Sequence, residues 1–159
     1  MLRALLLTIC FAATASAAPP AIDAHEPVWS GWLAEQLGGN AEATFEDDAG
    51  RGRVDIVTDR VAIEVEWPKT PKAPESLEQA SRYGRAFDRK PVVIYLIGRG
   101  NRTVEKAIAA TTLQFGKQWM EPKVAVLWFD LRDPEKSVEK LRERLAEIAK
   151  TPSGQDAGE

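Results

Sequence analysis

The sequence predicts an α/β domain built around one mixed β-sheet, and three patterns support this class. Two neighbouring segments on either side of residue 60 alternate between apolar and polar residues, as the strands of a hairpin do. Two later segments, 91–97 and 123–129, are almost continuously apolar, which is typical of strands covered on both faces. Segments with apolar residues at helical spacing lie before, between and after the strands, and therefore predict helices that flank the sheet.

The predicted elements follow one another in the order αβββαβαβα. The first helix has Pro27 in its first turn, and Gly38-Gly39 ends it. The later boundaries follow from the change between helical spacing and strand-like alternation. The predicted helices are 28–37, 75–88, 103–119 and 135–150, and the predicted strands are 41–45, 53–58, 61–67, 91–97 and 123–129.

Composition excludes several classes of function. The 159 residues are 44% hydrophobic, enough for one globular domain, and the formal net charge is -3. That charge argues against a protein that coats nucleic acid through its overall charge. The single cysteine excludes an intramolecular disulfide, and the single histidine, His25, excludes mechanisms that need two imidazoles. Any chemistry must therefore rest mainly on carboxylates.

The N-terminal segment has the pattern of an export signal. Arg3 precedes an apolar run over 4–13, and Ala15-Ser16-Ala17 matches the small-residue pattern of a signal peptidase site. We therefore expect a signal peptide over 1–17, one domain over 18–150, a disordered tail over 151–159, and a periplasmic or extracellular location. A retained N-terminal anchor is the alternative, although the apolar run is shorter than the roughly 20 residues that span a bilayer.

The hairpin on either side of Asp59-Arg60 concentrates negative charge. A two-residue turn pairs Asp55 with Glu64 and Arg53 with Glu66. Opposed side chains have Cβ atoms about 5 Å apart, and like charges there destabilise a sheet. A proton, a counter-cation or a bound metal must relieve the repulsion, and carboxylate oxygens suit Mg²⁺ or Mn²⁺. An ordinary solvated hairpin face, with Arg53 neutralising Glu66, is the alternative.

A family resemblance favours the metal interpretation. The segments 53–58 (RVDIVT) and 62–67 (AIEVEW) resemble the PD-(D/E)xK nuclease superfamily, which has the restriction-endonuclease-like fold with an αβββαβ core. Gln79 and Tyr83 resemble the Gln-x-x-x-Tyr motif of one branch of that superfamily. The resemblance covers 26–97, about half of the chain.

The resemblance implies a role for each matching residue. Asp55 and Glu64 would be metal ligands. Glu66 stands where the family more often has lysine, so this chain resembles a Glu-x-Glu variant, and Glu66 would act as base or ligand. Lys69, or Lys72 beyond it, would supply the missing cation.

Two further positions follow from the same resemblance. The acid of the family's first helix falls on Glu26, with Glu35 as the second choice, and would add a metal ligand. A charge that favours the helix dipole is the alternative role of Glu26. Gln79 would orient the substrate phosphate or a loop, and Tyr83 would close the pocket; equally, Gln79 fits plain surface and Tyr83 the core periphery.

The sequence therefore predicts an exported, Mg²⁺-dependent or Mn²⁺-dependent endonuclease that hydrolyses DNA. The alternative is a catalytically inactive module of the same fold that binds a protein or a nucleic acid. A local group of basic residues could contact phosphates or form a solvated surface; its members are Lys69, Lys72, Arg82, Arg85, Arg89, Lys90, Arg99 and Arg102. The oligomeric state stays open, and a homodimer is compatible with the sequence.

Overall fold

The structure, a computed structural model, describes residues 17–68 and 73–150. The predicted signal segment up to Ser16, the tail over 151–159, and Lys69 and Lys72 lie outside the described residues. The elements follow the predicted order and are α1 (Glu26–Leu37), β1 (Asn40–Asp47), β2 (Gly50–Val57), β3 (Val61–Glu66), α2 (Ala73–Phe87), β4 (Lys90–Ile97), α3 (Arg102–Trp119), β5 (Ala125–Asp130) and α4 (Pro134–Lys150).

The five strands form one mixed sheet, in the order β1-β2-β3-β4-β5. The first three strands are antiparallel, whereas β3, β4 and β5 run parallel to one another. Parallel neighbours need a crossover connection, and α2 and α3 supply the two crossovers. The predicted α/β class with a mixed, helix-flanked sheet is confirmed.

The two faces of the sheet have separate apolar cores. On one face α1 and α4 cover the sheet, and Trp29 packs against Phe129 with ring centroids 5.8 Å apart. On the other face α2 and α3 cover β4 and β5, with Leu77, Ala80 and Tyr95 among the buried residues. None of the helices within 17–68 and 73–150 combines the length and the apolar character that crossing a membrane requires.

The hairpin between β2 and β3 has the predicted register but is shorter than predicted. Its ladder contains the pairs Ile56↔Ile63 and Val57↔Ala62, as the two-residue turn requires. The turn is held by Thr58, whose Oγ1 accepts hydrogen bonds from the backbone N–H groups of Arg60 and Val61. The side-chain hydroxyl of Thr58 therefore helps to set the register of this hairpin.

The faces of β2 differ from the prediction. The sequence predicts Val54 and Ile56 on the same face, but Ile56 packs under α1 and Val54 packs with Tyr83 of α2. The alternation breaks at Asp55, which lies opposite Glu42 of β1, and Glu42 has a positive φ of 58°. The distortion arises where β2 pairs with β1. The sequence pattern of β2 and β3 alone gives no information about that pairing.

Glycine at position 84 allows α2 to approach the start of β4. A Cβ atom there would lie 2.9 Å from the carbonyl oxygen of Arg89 and 3.0 Å from the Pro91 ring. We expect Gly84→Ala to lower the free energy of unfolding by about 1–3 kcal/mol, because the helix must move away from the strand. Urea unfolding followed by circular dichroism measures the change.

Gly31 in α1 is the matched control. A Cβ atom there meets nothing within 4 Å. We expect Gly31→Ala to raise stability by up to about 1 kcal/mol, since alanine loses less backbone entropy in a helix. Equal effects of the two substitutions would contradict the close approach of α2 to β4.

Candidate functional site

The candidate site lies where β2 and β3 separate. Beyond the Ile56↔Ile63 pair the ladder stops, and the Asp55 side chain takes over as hydrogen-bond acceptor. Its Oδ2 accepts a hydrogen bond of 2.8 Å from the backbone N–H of Val65. This bond holds the Asp55 carboxylate against β3, beside the residue that precedes Val65.

That preceding residue is Glu64, which is 6% exposed although it carries a carboxyl group. The carboxyl groups of Asp55 and Glu64 lie close enough for a proton to be shared between them. Burial, and then the charge of Asp55, raise the pKa of Glu64 to about 9. Burial also raises the pKa of Asp55, although the Val65 N–H opposes this shift. Without a cation, the pair therefore holds a proton at neutral pH.

One oxygen of this pair has no hydrogen-bond partner. Oε2 of Glu64 is fully enclosed and receives no hydrogen bond from any group in the described residues. A buried acceptor left in this way is costly, and each such atom in a native structure calls for a bound proton, ion or water. The orphaned oxygen and the neighbouring Asp55 carboxylate fit a hard divalent cation, because Mg²⁺ needs only one or two protein carboxylates and keeps several waters.

Glu26 lies at the entrance of α1 and acts on the pair at longer range. Its negative charge contributes to the raised pKa of Glu64. Yet within 17–68 and 73–150 no group of three or more histidine, cysteine, aspartate or glutamate side chains is arranged to hold a metal ion. The geometry is therefore that of a two-carboxylate site with Glu26 nearby, and a ligand role for Glu26 stays a prediction. The second choice, Glu35, is exposed.

Glu66 lies one pleat beyond Glu64 on the same strand and is half-buried. Its Oε1 accepts a hydrogen bond of 2.8 Å from the backbone N–H of Trp67. Arg53, which the alternative interpretation of the hairpin placed against Glu66, pairs instead with Glu42 of β1 at 2.7 Å. The separation of β2 from β3 directs Arg53 towards the other neighbouring strand.

The two residues of the Gln-x-x-x-Tyr pattern differ in their relation to the pair. Tyr83 is 8% exposed, and its hydroxyl favours the charged form of Glu64. Burial and the charge of Glu64 raise the pKa of this phenol, so that it stays protonated and able to donate. Phe45 of β1 packs edge-on against the Tyr83 ring, 5.7 Å between centroids. Gln79 is half-exposed, and its side chain has no hydrogen bond to another group within the described part of the chain.

Most of the predicted phosphate-contacting residues bind the protein itself. Arg82 makes two hydrogen bonds of 2.7 Å to Asp47, and this pairing lowers the pKa of the Asp47 carboxyl group. Others contact backbone or side-chain oxygens: Arg85 contacts Ser81, Arg89 contacts Thr58, Lys90 contacts Ile148, and Arg102 contacts Asp130. These cations hold elements together and form no continuous basic surface beside the carboxylate pair.

Glu42 is a neighbour of the site that the sequence pattern did not reveal, and the contacts of Arg99, one of the predicted phosphate-contacting residues, were not predicted either. The Arg99 guanidinium lies 3.9 Å from the centre of the Trp67 ring and donates to the carbonyl oxygen of Ile22. Glu42 lies opposite Asp55 and contributes to its raised pKa. Neither contact has a local signal, because each joins segments far apart in the chain.

A groove of about 1240 Å³ lies elsewhere on the protein. It is lined at the other end of β3 by Arg60 and at the starts of β4 and β5 by Lys90 and Ala125. None of the predicted metal ligands and catalytic residues within the described ranges lines it, whereas Arg85, Arg89 and Lys90 of the predicted phosphate-contacting group do. The candidate chemistry and this groove therefore belong to opposite ends of the sheet.

No protein-family model, curated protein or solved structure matches this chain. A function can therefore be argued only from the carboxylate pair and its surroundings.

The raised pKa of Glu64 predicts a pH-dependent stability. Between the ordinary value of 4.5 and about 9, the folded protein keeps a proton that the unfolded chain releases. The free energy of unfolding should therefore fall as pH rises from about 5 to about 9 in the presence of a chelator, by an amount on the order of 2–4 kcal/mol. Glu64→Gln should remove most of this fall and be more stable than the wild type at pH 8.

Chemical unfolding at several pH values measures this dependence. Glu35→Gln removes an exposed carboxylate from α1 and is the matched control, which should retain the wild-type slope. A wild-type slope in Glu64→Gln would contradict a proton held at position 64.

Proposed function

We propose that the chain is an exported, metal-dependent hydrolase of DNA phosphodiester bonds, with Mg²⁺ or Mn²⁺ held by Asp55 and Glu64. One observation carries the proposal: the buried carboxyl group of Glu64 meets the half-buried carboxyl group of Asp55, and Oε2 of Glu64 has no donor within the described residues. A divalent cation would remove both the repulsion and the unsatisfied acceptor.

The arrangement of elements supports the family part of the proposal. The order α1-β1-β2-β3-α2-β4 is αβββαβ, the order that the PD-(D/E)xK resemblance implies. The acidic residues lie on β2 and β3, and Tyr83 of the following helix reaches them. The restriction-endonuclease-like fold is thus the fold that we propose for this chain.

The bound cation would supply polarisation of the scissile phosphate and a lowered pKa of its water. Asp55 would bind while its Oδ2 stays oriented by the Val65 N–H. Glu66, oriented by the Trp67 N–H, would accept a proton at its carboxylate from the attacking water. The Tyr83 hydroxyl would orient Glu64 as a donor, and Gln79 would contact the phosphate at the edge of the site.

In the family that this chain resembles, a lysine usually supplies a positive charge at the site. We assign this role to Lys69, which lies outside the described residues. Its role would be to stabilise negative charge that develops on the phosphate. Export would follow from the signal pattern over 1–17, and the substrate would then be DNA outside the cytoplasm.

We expect purified protein to cleave plasmid DNA with Mg²⁺ or Mn²⁺ and to stop when a chelator is added. Asp55→Ala and Glu64→Ala should each lower the rate at least about 100-fold, because a metal ligand contributes several kcal/mol to catalysis. Gel analysis of plasmid nicking and linearisation measures the rate.

Asp59→Ala is the matched control, since Asp59 is an acidic residue of the same hairpin with 82% of its side chain exposed. It should cleave at the wild-type rate. Cleavage that survives Asp55→Ala and Glu64→Ala would contradict the proposed site.

A second function, an inactive module that binds a protein or a nucleic acid, is favoured by one specific observation. The predicted phosphate-contacting cations Arg82, Arg89 and Arg102 are engaged with oxygens of the protein itself. A protonated carboxyl pair would then be a structural feature of the fold.

Metal titration separates the two functions. If the pair binds Mg²⁺ or Mn²⁺, calorimetry should detect binding that releases about one proton near pH 7, because the buried pair must lose its proton first. Affinity should rise with pH and disappear in Asp55→Asn, whereas Asp59→Asn should bind as the wild type does. Absence of binding heat at every pH would favour the inactive module, and binding without DNA cleavage would indicate another metal-dependent role.

A further inference from the structure

Within residues 17–68 and 73–150, the outer edge of the sheet at β5 leaves backbone groups without partners. β5 is the last strand, and among the described residues it pairs only with β4. The N–H of Leu131 donates to Ile97 of β4, so residues 129 and 127 also direct their backbone groups inward. Val126, Trp128 and Asp130 therefore face outward. The N–H of Asp130 donates to the Ser137 hydroxyl, and the backbone groups of Val126 and Trp128 remain at the open edge.

This edge lacks the usual protection of a sheet edge. Residues 125–129 read AVLWF, with neither a charge nor a proline. Natural edges carry charges, prolines or bulges that prevent pairing with another chain, and an apolar edge without them associates readily. Trp128 lies on the same face as Val126, which packs beneath α3, yet Trp128 is 47% exposed. An apolar strand edge of this kind calls for a partner.

α3 adds an apolar flank on the same side. Leu113 and Gly116 face the α2 side of this helix: Leu113 packs against the cluster that contains Leu77 of α2, and a Cβ atom on Gly116 would lie 3.2 Å from the Leu77 side chain. Phe115 and Trp119 lie on the opposite flank, since each residue advances the helix by about 100°. They are 45% and 71% exposed, and Val104 on that flank is 55% exposed.

We propose that β5 and this flank of α3 form the interface with a second copy of the same chain. Only residues with both backbone groups outward form hydrogen-bonded antiparallel pairs, and among the registers that meet this condition the proposal places Val126 of one copy opposite Trp128 of the other. The two equivalent pairs exchange four hydrogen bonds about a two-fold axis at Leu127 and join the two sheets into one. Such an interface uses the same surface on both copies, as a two-fold dimer requires.

The exposed apolar area matches the needs of a stable dimer. Four of the six large hydrophobic residues exposed in the described chain belong to this surface: Val104, Phe115, Trp119 and Trp128. Together they leave about 450 Å² of apolar side chain in water, close to the apolar share of a standard interface of about 800 Å² per partner.

Sedimentation velocity of the purified protein tests the dimer. At about 50 µM we expect twice the monomer mass, because interfaces of this size have dissociation constants in the micromolar range or below. Trp128→Lys and Trp119→Glu should each raise the dissociation constant at least about 100-fold, by placing a charge in the centre of the interface. Val28→Glu is the control: Val28 is 53% exposed on α1, outside the interface, and its replacement should leave the dimer intact.

The same measurements distinguish a second copy of the chain from other occupants of this surface. A monomeric wild type at about 50 µM would overturn the proposal and leave a different partner for the edge. A dimer that survives both tryptophan substitutions, or that Val28→Glu dissociates equally, would overturn it as well. Circular dichroism of each variant establishes that the fold is retained.

A disulfide tests the antiparallel pairing itself. Leu127 lies on the two-fold axis, where the Cα atoms of a non-hydrogen-bonded pair are about 4.5 Å apart, within the range that a disulfide spans. In a Cys10→Ser background, Leu127→Cys should form a covalent dimer under mild oxidation, and Val28→Cys should not. A protein that sediments as a dimer but does not cross-link through Leu127→Cys would overturn this pairing.

Discussion

The proposed chemistry depends on one constraint, the close approach of the carboxyl groups of Asp55 and Glu64 that the fold imposes. Both groups would separate in water, but the N–H of Val65 holds Asp55 against β3, and the strand holds Glu64 in a nearly dry position. Burial of Glu64, and then the charge of Asp55, therefore raise the affinity of the pair for a proton, and the proposed metal ion would take the place of that proton. The raised pKa of Glu64 and the missing hydrogen-bond partner of its Oε2 both follow from the burial of this carboxyl group.

The surrounding elements serve this confinement. Tyr83 of α2 lies beside the carboxyl pair, Phe45 of β1 packs against the Tyr83 ring, and Arg82 ties α2 to the turn between β1 and β2. Several arginines thereby join elements rather than face a ligand. A nuclease built in this way would depend on its metal ion and on a small number of cations near the site for phosphate binding, not on the charge of the whole surface. The acidic net charge of the chain agrees with phosphate binding by a few local cations rather than by the whole surface.

The two ends and the outer edge of the sheet differ in character. Carboxylates gather where β2 leaves β3, whereas the outer edge at β5 is apolar and lacks a neighbouring strand within the described residues. Because β5 lies two strands away from β3, association through that edge would leave the carboxylate pair accessible. The chemistry and the assembly that we propose can therefore coexist on one sheet.

The sequence by itself determined the order of the elements, the α/β class and the register at Ile56↔Ile63, because these depend on short-range periodicity and on one tight turn. It also selected Asp55 and Glu64, the two residues whose carboxyl groups meet. Only the tertiary structure decided that Val54 packs with Tyr83, that Arg53 pairs with Glu42, and that Arg99 lies on Trp67. These contacts follow from the pairing of β2 with β1 and from the approach of segments distant in the chain. Alternation within one hairpin holds no information about a third strand, so the bend at Asp55 emerges only when all the strands pack together.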